Sequence, residues 1–317
     1  WATAARNNYV SCHGGLKIFR KEGASYVASF FGLSGSGKST LTHAKHDDKY
    51  DIEVLHDDAF VISVEDGSSV ALEPSYFDKT NDYPAGHREQ DYFVTVQNCG
   101  VTLDENGRKV LVTEDIRNGN GRTIKSRYST PNRVDKIKEP IQSIFWIMKD
   151  DALPPLVKIT DPRLASILGC TLMTKRSTAE NTGAGANLDA LVIEPYANPF
   201  RVYPLVEDYE KFKALFDKGV DCYIINTGDY LGKKVTKEVS LGVIETVVDG
   251  KANFELFGGL PGMEYLPVEG YEVPDMNGEY AELIRDRMQF RLDYLKAFND
   301  ANPEHQIPQD ALESIKT

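Results

Sequence analysis

The octapeptide Gly32-Leu33-Ser34-Gly35-Ser36-Gly37-Lys38-Ser39 satisfies G-x-x-x-x-G-K-[ST], the pattern of a loop that cradles a nucleotide polyphosphate. Each residue type has a chemical reason. Glycines let successive backbone N–H groups turn inward around a β-phosphate at a helix N-terminus. Lys38 brings a point charge to the β/γ-phosphates, Ser39 offers a hydroxyl to Mg²⁺, and Thr40 continues the helix that the loop opens. A second constellation, His56-Asp57-Asp58, lies downstream. A P-loop needs a carboxylate at the end of a neighbouring strand to hold a metal and its water. Two adjacent carboxylates can ligate a cation with one group and poise a base with the other. The bland alternatives are a Gly/Ser loop without a ligand and an acidic surface turn; each motif weakens that reading of the other.

These residues need elements to position them. Tyr26-Val-Ala-Ser-Phe-Phe31 is an apolar run ending at Gly32, a buried strand feeding a turn, and a helix follows from Ser39 to about His46. Ile52-Glu-Val-Leu55 leads into the acidic pair and Phe60-Val-Ile-Ser63 leaves it. Asp104-Glu-Asn-Gly107 joins two short strands as a hairpin, and Ser143–Met148 is another buried strand, closed by Leu153-Pro-Pro155. Tyr209, Phe212, Leu215 and Phe216 recur at helical spacing with Gly219 as a stop. Cys222–Ile225 is a strand, a long helix covers about Gly278 to Phe298, and Phe257 through Pro267 reads as a loop. Strands scattered among helices predict an α/β chain with a mixed sheet, and 1–317 as a single domain.

Composition bounds the rest. Forty-one per cent hydrophobic residues, with 16 Tyr and 14 Phe, exclude a disordered chain. A net charge of −12 argues against nucleic acid as a partner while leaving room for a local phosphate cradle. Cys12, Cys99, Cys170 and Cys222 show no C-x-x-C spacing and read as buried thiols of a cytoplasmic protein. No apolar run is long enough to span a membrane. The chain opens on Trp1 rather than Met, which suggests a start inside a longer protein. His43 and His46, spaced i, i+3 after the P-loop, read as a solvated helix face. Gly183-Ala-Gly185 is a short glycine-rich loop that could lie over the site. No G-x-S-x-G supports a serine hydrolase.

Taken in order, the motifs resemble those of the ATP-dependent phosphoenolpyruvate carboxykinases. Phe30-Phe-Gly-Leu-Ser-Gly-Ser-Gly-Lys-Ser-Thr-Leu41 resembles that family's nucleotide loop, and His56-Asp57-Asp58 its second kinase motif, normally Gly-Asp-Asp. Glu73-Pro-Ser-Tyr-Phe-Asp-Lys-Thr80 is similar to the segment that carries a phosphate-contacting Lys, which places that role on Lys79. Ser126-Arg-Tyr-Ser129 resembles the segment whose Arg bridges the γ-phosphate and the second substrate, hence Arg127. Ala152-Leu-Pro-Pro155 and Ile225-Asn-Thr-Gly228 are further landmarks, and Lys234-Val-Thr-Lys-Glu-Val-Ser240 is similar to the stretch around the adenine, implicating Lys234 and Ser240.

The resemblance implies that oxaloacetate loses CO₂ to give an enolate that takes the γ-phosphoryl group of ATP, a gluconeogenic step. It implies catalytic Lys38, Lys79, Arg127 and Asp57, Mn²⁺ on Asp58 and His13, and Mg²⁺ near Ser39. Departures mark the carboxylate side. Cys12-His13-Gly-Gly replaces the His-Cys-Ser-Ala-Asn context of the family's metal ligand and stands further from Gly32. Lys234 replaces an adenine-stacking Arg and Pro74-Ser75 replaces Gly-Gly. An upstream Lys, and an N-terminal substrate domain with its Arg and Tyr, are expected outside this chain. Two other readings remain: a P-loop kinase of the bacterial phosphocarrier type acting on a protein Ser or small-molecule hydroxyl, and a nucleotide-binding module without turnover.

Overall fold

A computed structural model describes residues 1–33, 35–79, 100–111, 122–125, 130–175 and 190–315. Its centre is an eight-stranded sheet. In spatial order the strands are Glu255–Leu256, Met263–Tyr265, Leu156–Ile159, Asp221–Asn226, Ser143–Met148, Ala24–Phe31, Gly15–Lys21 and Asp51–His56. Three neighbours, Asp221–Asn226, Ser143–Met148 and Ala24–Phe31, run parallel, and the remaining pairings are antiparallel. This is the mixed α/β sheet expected from the sequence.

The parallel strands are continuous apolar runs because both of their faces are covered. Phe31 and Trp146 pack with Phe212 and Tyr196 on one face, while Phe30, Phe145, Ile147 and Tyr223 pack on the other with Val243 and Ile244. The first face is closed by the helices Pro162–Cys170 and Leu205–Asp217, the second by Lys237–Val248. Gly169 shows how tight this packing is, since a Cβ there would stand 2.4 Å from the Tyr196 ring. The long helix Gly278–Ala301 is tied to the sheet by Arg287, which reaches Asp150 Oδ1 at 3.1 Å and Asp151 Oδ1 at 3.0 Å.

A second, four-stranded sheet is built from Tyr9–His13, Ala59–Ser63, Ser69–Ala71 and Lys136–Ile137. It meets the first at a corner where the chain crosses twice. Gly14 and Gly15 carry the chain from Tyr9–His13 into Gly15–Lys21, and Asp57-Asp58 carries it from Asp51–His56 into Ala59–Ser63. The register His13↔Ala59 and a Gly14 N–H to Asp58 carbonyl bond of 2.9 Å set the two crossings side by side. Glycine is required there: a Cβ on Gly14 would lie 2.7 Å from the Phe30 carbonyl oxygen, and one on Gly15 1.8 Å from Thr42 Oγ1.

Several sequence expectations need correction. The helix after the P-loop spans only Lys38–His43, and the chain then turns left-handed through His46, Asp47 and Asp48 (φ 54°, 52° and 58°). His46 is therefore no part of a solvated helix face; its side chain is fully buried. The stretch from Phe257 to Pro267 is not all loop, since Met263–Tyr265 pairs with the short strand Glu255–Leu256. The Asp104 hairpin forms as expected, between Val101–Leu103 and Lys109–Leu111, with Gly107 at φ 72°. Cys12, Cys170 and Cys222 are buried free thiols. Cys99 and Gly183-Ala-Gly185 lie outside the described residues. Among the described residues no helix is long and apolar enough to cross a membrane.

Candidate nucleotide and metal site

The P-loop leaves the end of Ala24–Phe31 and folds back tightly on the sheet. A Cβ on Gly32 would meet Ser36 Oγ at 2.3 Å and Ile147 Cβ at 2.9 Å, so no side chain fits there. Gly35 and Gly37 take φ of 76° and 102°, the left-handed region that admits glycine freely. Leu33 packs at the edge of the core, and Ser36 is buried with a hydroxyl that finds no partner among the described residues. Two loop carbonyls are held from outside. Thr227 Oγ1 donates to the Ser36 carbonyl at 2.7 Å, and Lys149 Nζ donates to the Gly35 carbonyl at 2.7 Å. Thr227 and Lys149 each follow directly on a parallel strand that ends beside the loop, at Asn226 and Met148. Ser39 and Thr40 are exposed on the first turn of the helix. Ser34 lies outside the described residues.

At the mouth of this loop three groups from three places in the sequence converge. Lys38 Nζ lies 3.1 Å from His13 Nε2 and 3.8 Å from Asp58 Oδ1, and His13 Nε2 lies 3.0 Å from Asp58 Oδ1. The His13 ring is oriented by its other nitrogen, which bonds to the Ala197 carbonyl. A carbonyl only accepts, so Nδ1 carries a proton; Nε2 then donates to Asp58 when the ring is doubly protonated and presents its lone pair when the ring is neutral. That carbonyl is aimed by an unusual turn in which Tyr196 and Ala197 have φ of 54° and 51°. Left-handed backbone costs about 1–2 kcal/mol per non-glycine residue. It persists here because Tyr196 is locked in the core, stacked on Phe212 at 4.4 Å and hydrogen-bonded to Ser166 at 2.9 Å.

The electrostatics follow from this packing. Burial pushes the Lys38 ammonium below its ordinary value, against the pull of Asp58 and Asp57. Burial alone would raise Asp58, but the His13 hydrogen bond and the Lys38 charge hold it below the usual carboxylate range. Burial alone would raise Asp57, but the hydrogen bond from His43 Nε2 (3.2 Å) and the charges of His43, His56 and Lys38 hold it well below the usual carboxylate range. The acidic turn is shaped by His56, whose Nδ1 accepts from the backbone N–H groups of Asp58 and Ala59, each at 3.0 Å. Glu73, nearby, is raised by burial and by the two aspartates.

The donor set suits a divalent cation. An imidazole nitrogen and a carboxylate oxygen face each other, and the imidazole is braced through its second nitrogen by a carbonyl, the arrangement typical of a metal-ligating histidine. Among the described residues no third His, Cys, Asp or Glu joins His13 and Asp58, so those residues supply two donors here. The loop likewise suits a polyphosphate, because the Ser36 and Gly35 carbonyls are held by Thr227 and Lys149 and because Gly35 and Gly37 take the left-handed φ of a phosphate-wrapping turn.

The other residues singled out by sequence fall around this core. Lys79 ends the strand Tyr76–Lys79, paired with Arg122; its side chain and Arg127 lie outside the description. Lys234 is exposed, with Nζ 3.3 Å from the Thr227 carbonyl. Ser240 is buried, and its hydroxyl donates to the Thr236 carbonyl at 3.1 Å. Sequence reasoning missed four contributors. His43 and Thr227 hold Asp57 and Ser36, Ala197 orients His13, and Lys149 braces Gly35. Only Lys149 and Thr227 carried a signal, their position just past a buried parallel strand, where α/β sheets place their ligands.

The class that this fold and site define is a P-loop α/β domain. The family model described as phosphoenolpyruvate carboxykinase matches residues 3–275, and the chain belongs to the ATP-dependent phosphoenolpyruvate carboxykinase family. The phosphoenolpyruvate carboxykinase (ATP) of Aeropyrum pernix is 24% identical over 89% of this chain and 60% of its own length. The chain thus spans about 60% of that relative's length.

Proposed function

We propose that the chain forms the nucleotide- and metal-binding part of an ATP-dependent phosphoenolpyruvate carboxykinase, converting oxaloacetate and ATP to phosphoenolpyruvate, ADP and CO₂ in gluconeogenesis. The observation that carries this reading is the convergence of Lys38 Nζ, His13 Nε2 and Asp58 Oδ1 within 3.8 Å at the mouth of the P-loop. In the reaction the C–C bond to the departing carboxylate breaks, CO₂ leaves, and the electron pair remains as an enolate. The enolate oxygen then takes the γ-phosphoryl group, and ADP departs. Such a transfer needs in-line placement and charge neutralisation rather than a covalent nucleophile.

In this scheme the backbone from Gly32 to Thr40 wraps the polyphosphate and Lys38 neutralises its β/γ-oxygens. Asp58 and His13 would hold Mn²⁺, and the Ser39 hydroxyl would be offered to Mg²⁺. A divalent cation at these sites supplies charge neutralisation for phosphoryl and enolate oxygens. Asp57, fixed by His43, keeps negative potential behind the metal side and holds Lys38 charged. Lys79 and Arg127 are assigned to the transferred phosphoryl group and the small carboxylate substrate, and Lys234 and Ser240 to the adenine side.

The test is turnover by the full natural protein with ATP, Mn²⁺ and oxaloacetate, followed as phosphoenolpyruvate formation. Lys38→Ala is expected to abolish nucleotide binding, and Asp58→Asn to weaken Mn²⁺ binding by about tenfold or more with little change in ATP affinity. Phosphorylation of a protein Ser or another hydroxyl, with no phosphoenolpyruvate formed, would overturn the reaction while leaving the P-loop intact. Unchanged ATP binding by Lys38→Ala would overturn the nucleotide site itself.

A further inference from the structure

Among the described residues, Lys149 has no carboxylate within ion-pair distance. It stands just past Ser143–Met148, the strand that pairs in parallel with the P-loop strand at Trp146↔Phe31. This register lifts Lys149 level with the loop itself. Its backbone is fixed on both sides: the N–H donates to Thr174 Oγ1 at 3.0 Å, the carbonyl accepts from Lys175 N–H at 3.2 Å, and a Cβ on Gly228 would lie 3.0 Å from Lys149 Cα and Cβ. The side chain is partly buried and ends on the Gly35 carbonyl at 2.7 Å.

The two carboxylates that follow it in sequence are spent elsewhere. Asp150 and Asp151 both face Arg287. Among the described residues no carboxylate comes within ion-pair distance of Lys149, although the Asp229 charge acts on it from further away. A second cation, Lys234, is close enough that its charge, after burial, lowers the Lys149 pKa. Two ammonium groups therefore crowd one flank of the P-loop in a chain of net charge −12. One backbone carbonyl occupies one of three ammonium donors. Partial desolvation of a like-charged pair is unfavourable until an anion arrives.

Resting on the reading that the P-loop binds ATP, we propose that Lys149 is a further phosphate-binding cation of the nucleotide site, turning from the Gly35 carbonyl to an oxygen of the bound polyphosphate. The loop is then gripped by lysines from two directions. Lys38 comes from the helix that the loop opens, and Lys149 from the neighbouring strand.

The rival role is a brace, in which the amine only holds the Gly35 carbonyl. Charge separates the two. Calorimetric titration of ATP and of inorganic tripolyphosphate into the unaltered chain, Lys149→Gln and Lys149→Arg, each at low and high salt, tests the proposal. Lys149→Gln is expected to lose about tenfold or more in affinity for both ligands, the size of a charge-assisted hydrogen bond, and to show a shallower salt dependence. Lys149→Arg is expected to keep most of the affinity, and the ligand-free melting temperature to change little in either variant. Equal tripolyphosphate affinity in Lys149→Gln would overturn the proposal, as would a loss with unchanged salt dependence, the signature of a brace. If the unaltered chain binds neither ligand, the nucleotide reading fails and this inference with it. Binding that is lost in Lys38→Ala but unaffected in Lys149→Gln overturns this inference alone.

Discussion

His46 offers a quantitative test of how the P-loop helix is anchored. Lys17, fully buried on the strand Gly15–Lys21, donates to the carbonyls of Leu41 (2.6 Å) and Ala44 (3.1 Å) and faces His46 Nε2 at 2.9 Å. His46 Nδ1 lies 2.9 Å from Glu245 Oε1 on the helix Lys237–Val248. An ammonium only donates and a carboxylate only accepts, so the ring is held neutral with its proton on Nδ1. Burial, then the Lys17 charge, push the His46 pKa down from the ordinary 6.5 to about 4, against the pull of Glu245. The unfolded chain therefore takes up this proton first. Stability from His46 is complete above the unfolded value of 6.5 and is lost as pH falls through the folded value of about 4. At about 1.4 kcal/mol per pH unit, the loss between about pH 7 and pH 4.5 is about 2 kcal/mol. His46→Gln is the matched perturbation, since an amide oxygen can accept from Lys17 and an amide N–H can donate to Glu245 without titrating. Urea unfolding at both pH values is expected to show the unaltered protein losing about 2 kcal/mol more than the variant. Carboxylates elsewhere titrate in both proteins and cancel. Equal losses in the two would refute the account of a neutral, wedged ring.

Lys17→Met keeps the side-chain stem and orphans two carbonyls and a ring nitrogen, so a loss of about 3 kcal/mol or more is expected in urea unfolding. Gly15→Ala drives a methyl to 1.8 Å from Thr42 Oγ1 on the P-loop helix; an overpacking cost of about 1–3 kcal/mol is expected as a lower melting temperature. Asp208 is buried and pushed up to about 7 by that burial, against its hydrogen bond from Tyr203. Its folded value lies above its unfolded one, so its contribution falls as pH rises from about 4 toward 7, and Asp208→Asn is expected to gain relative stability over that range in unfolding at matched pH.

The P-loop, the acidic pair and the strands on either side of them were legible in the sequence because each is a local signal. Glycine spacing, a short apolar run and a turn are properties of neighbouring residues, and the parallel strands advertise two-sided burial through unbroken apolar stretches. The site as an assembly was legible only in part. The family resemblance grouped His13 with Asp58 as metal ligands, although His13 stands further from Gly32 than the family's pattern has it. It reaches Lys38 and Asp58 because the chain crosses twice between two sheets at one corner, a relation set by strand pairing. His46 was misplaced for a related reason. Extending the helix to residue 46 follows from propensity, whereas the left-handed turn there is stabilised by Lys17 and Glu245, one on a strand and one on a distant helix.

By itself the sequence determined that a phosphate loop opens a helix after a buried strand in a mixed α/β chain. It also determined which charges were available to serve that loop. Tertiary structure alone decided which of them meet, because a side chain's electrostatic partners are chosen by sheet order and register rather than by spacing along the chain. Thus His13 joins Asp58, His43 holds Asp57, Ala197 aims the His13 ring, and Lys149 stands at the loop with its neighbouring carboxylates already committed to Arg287.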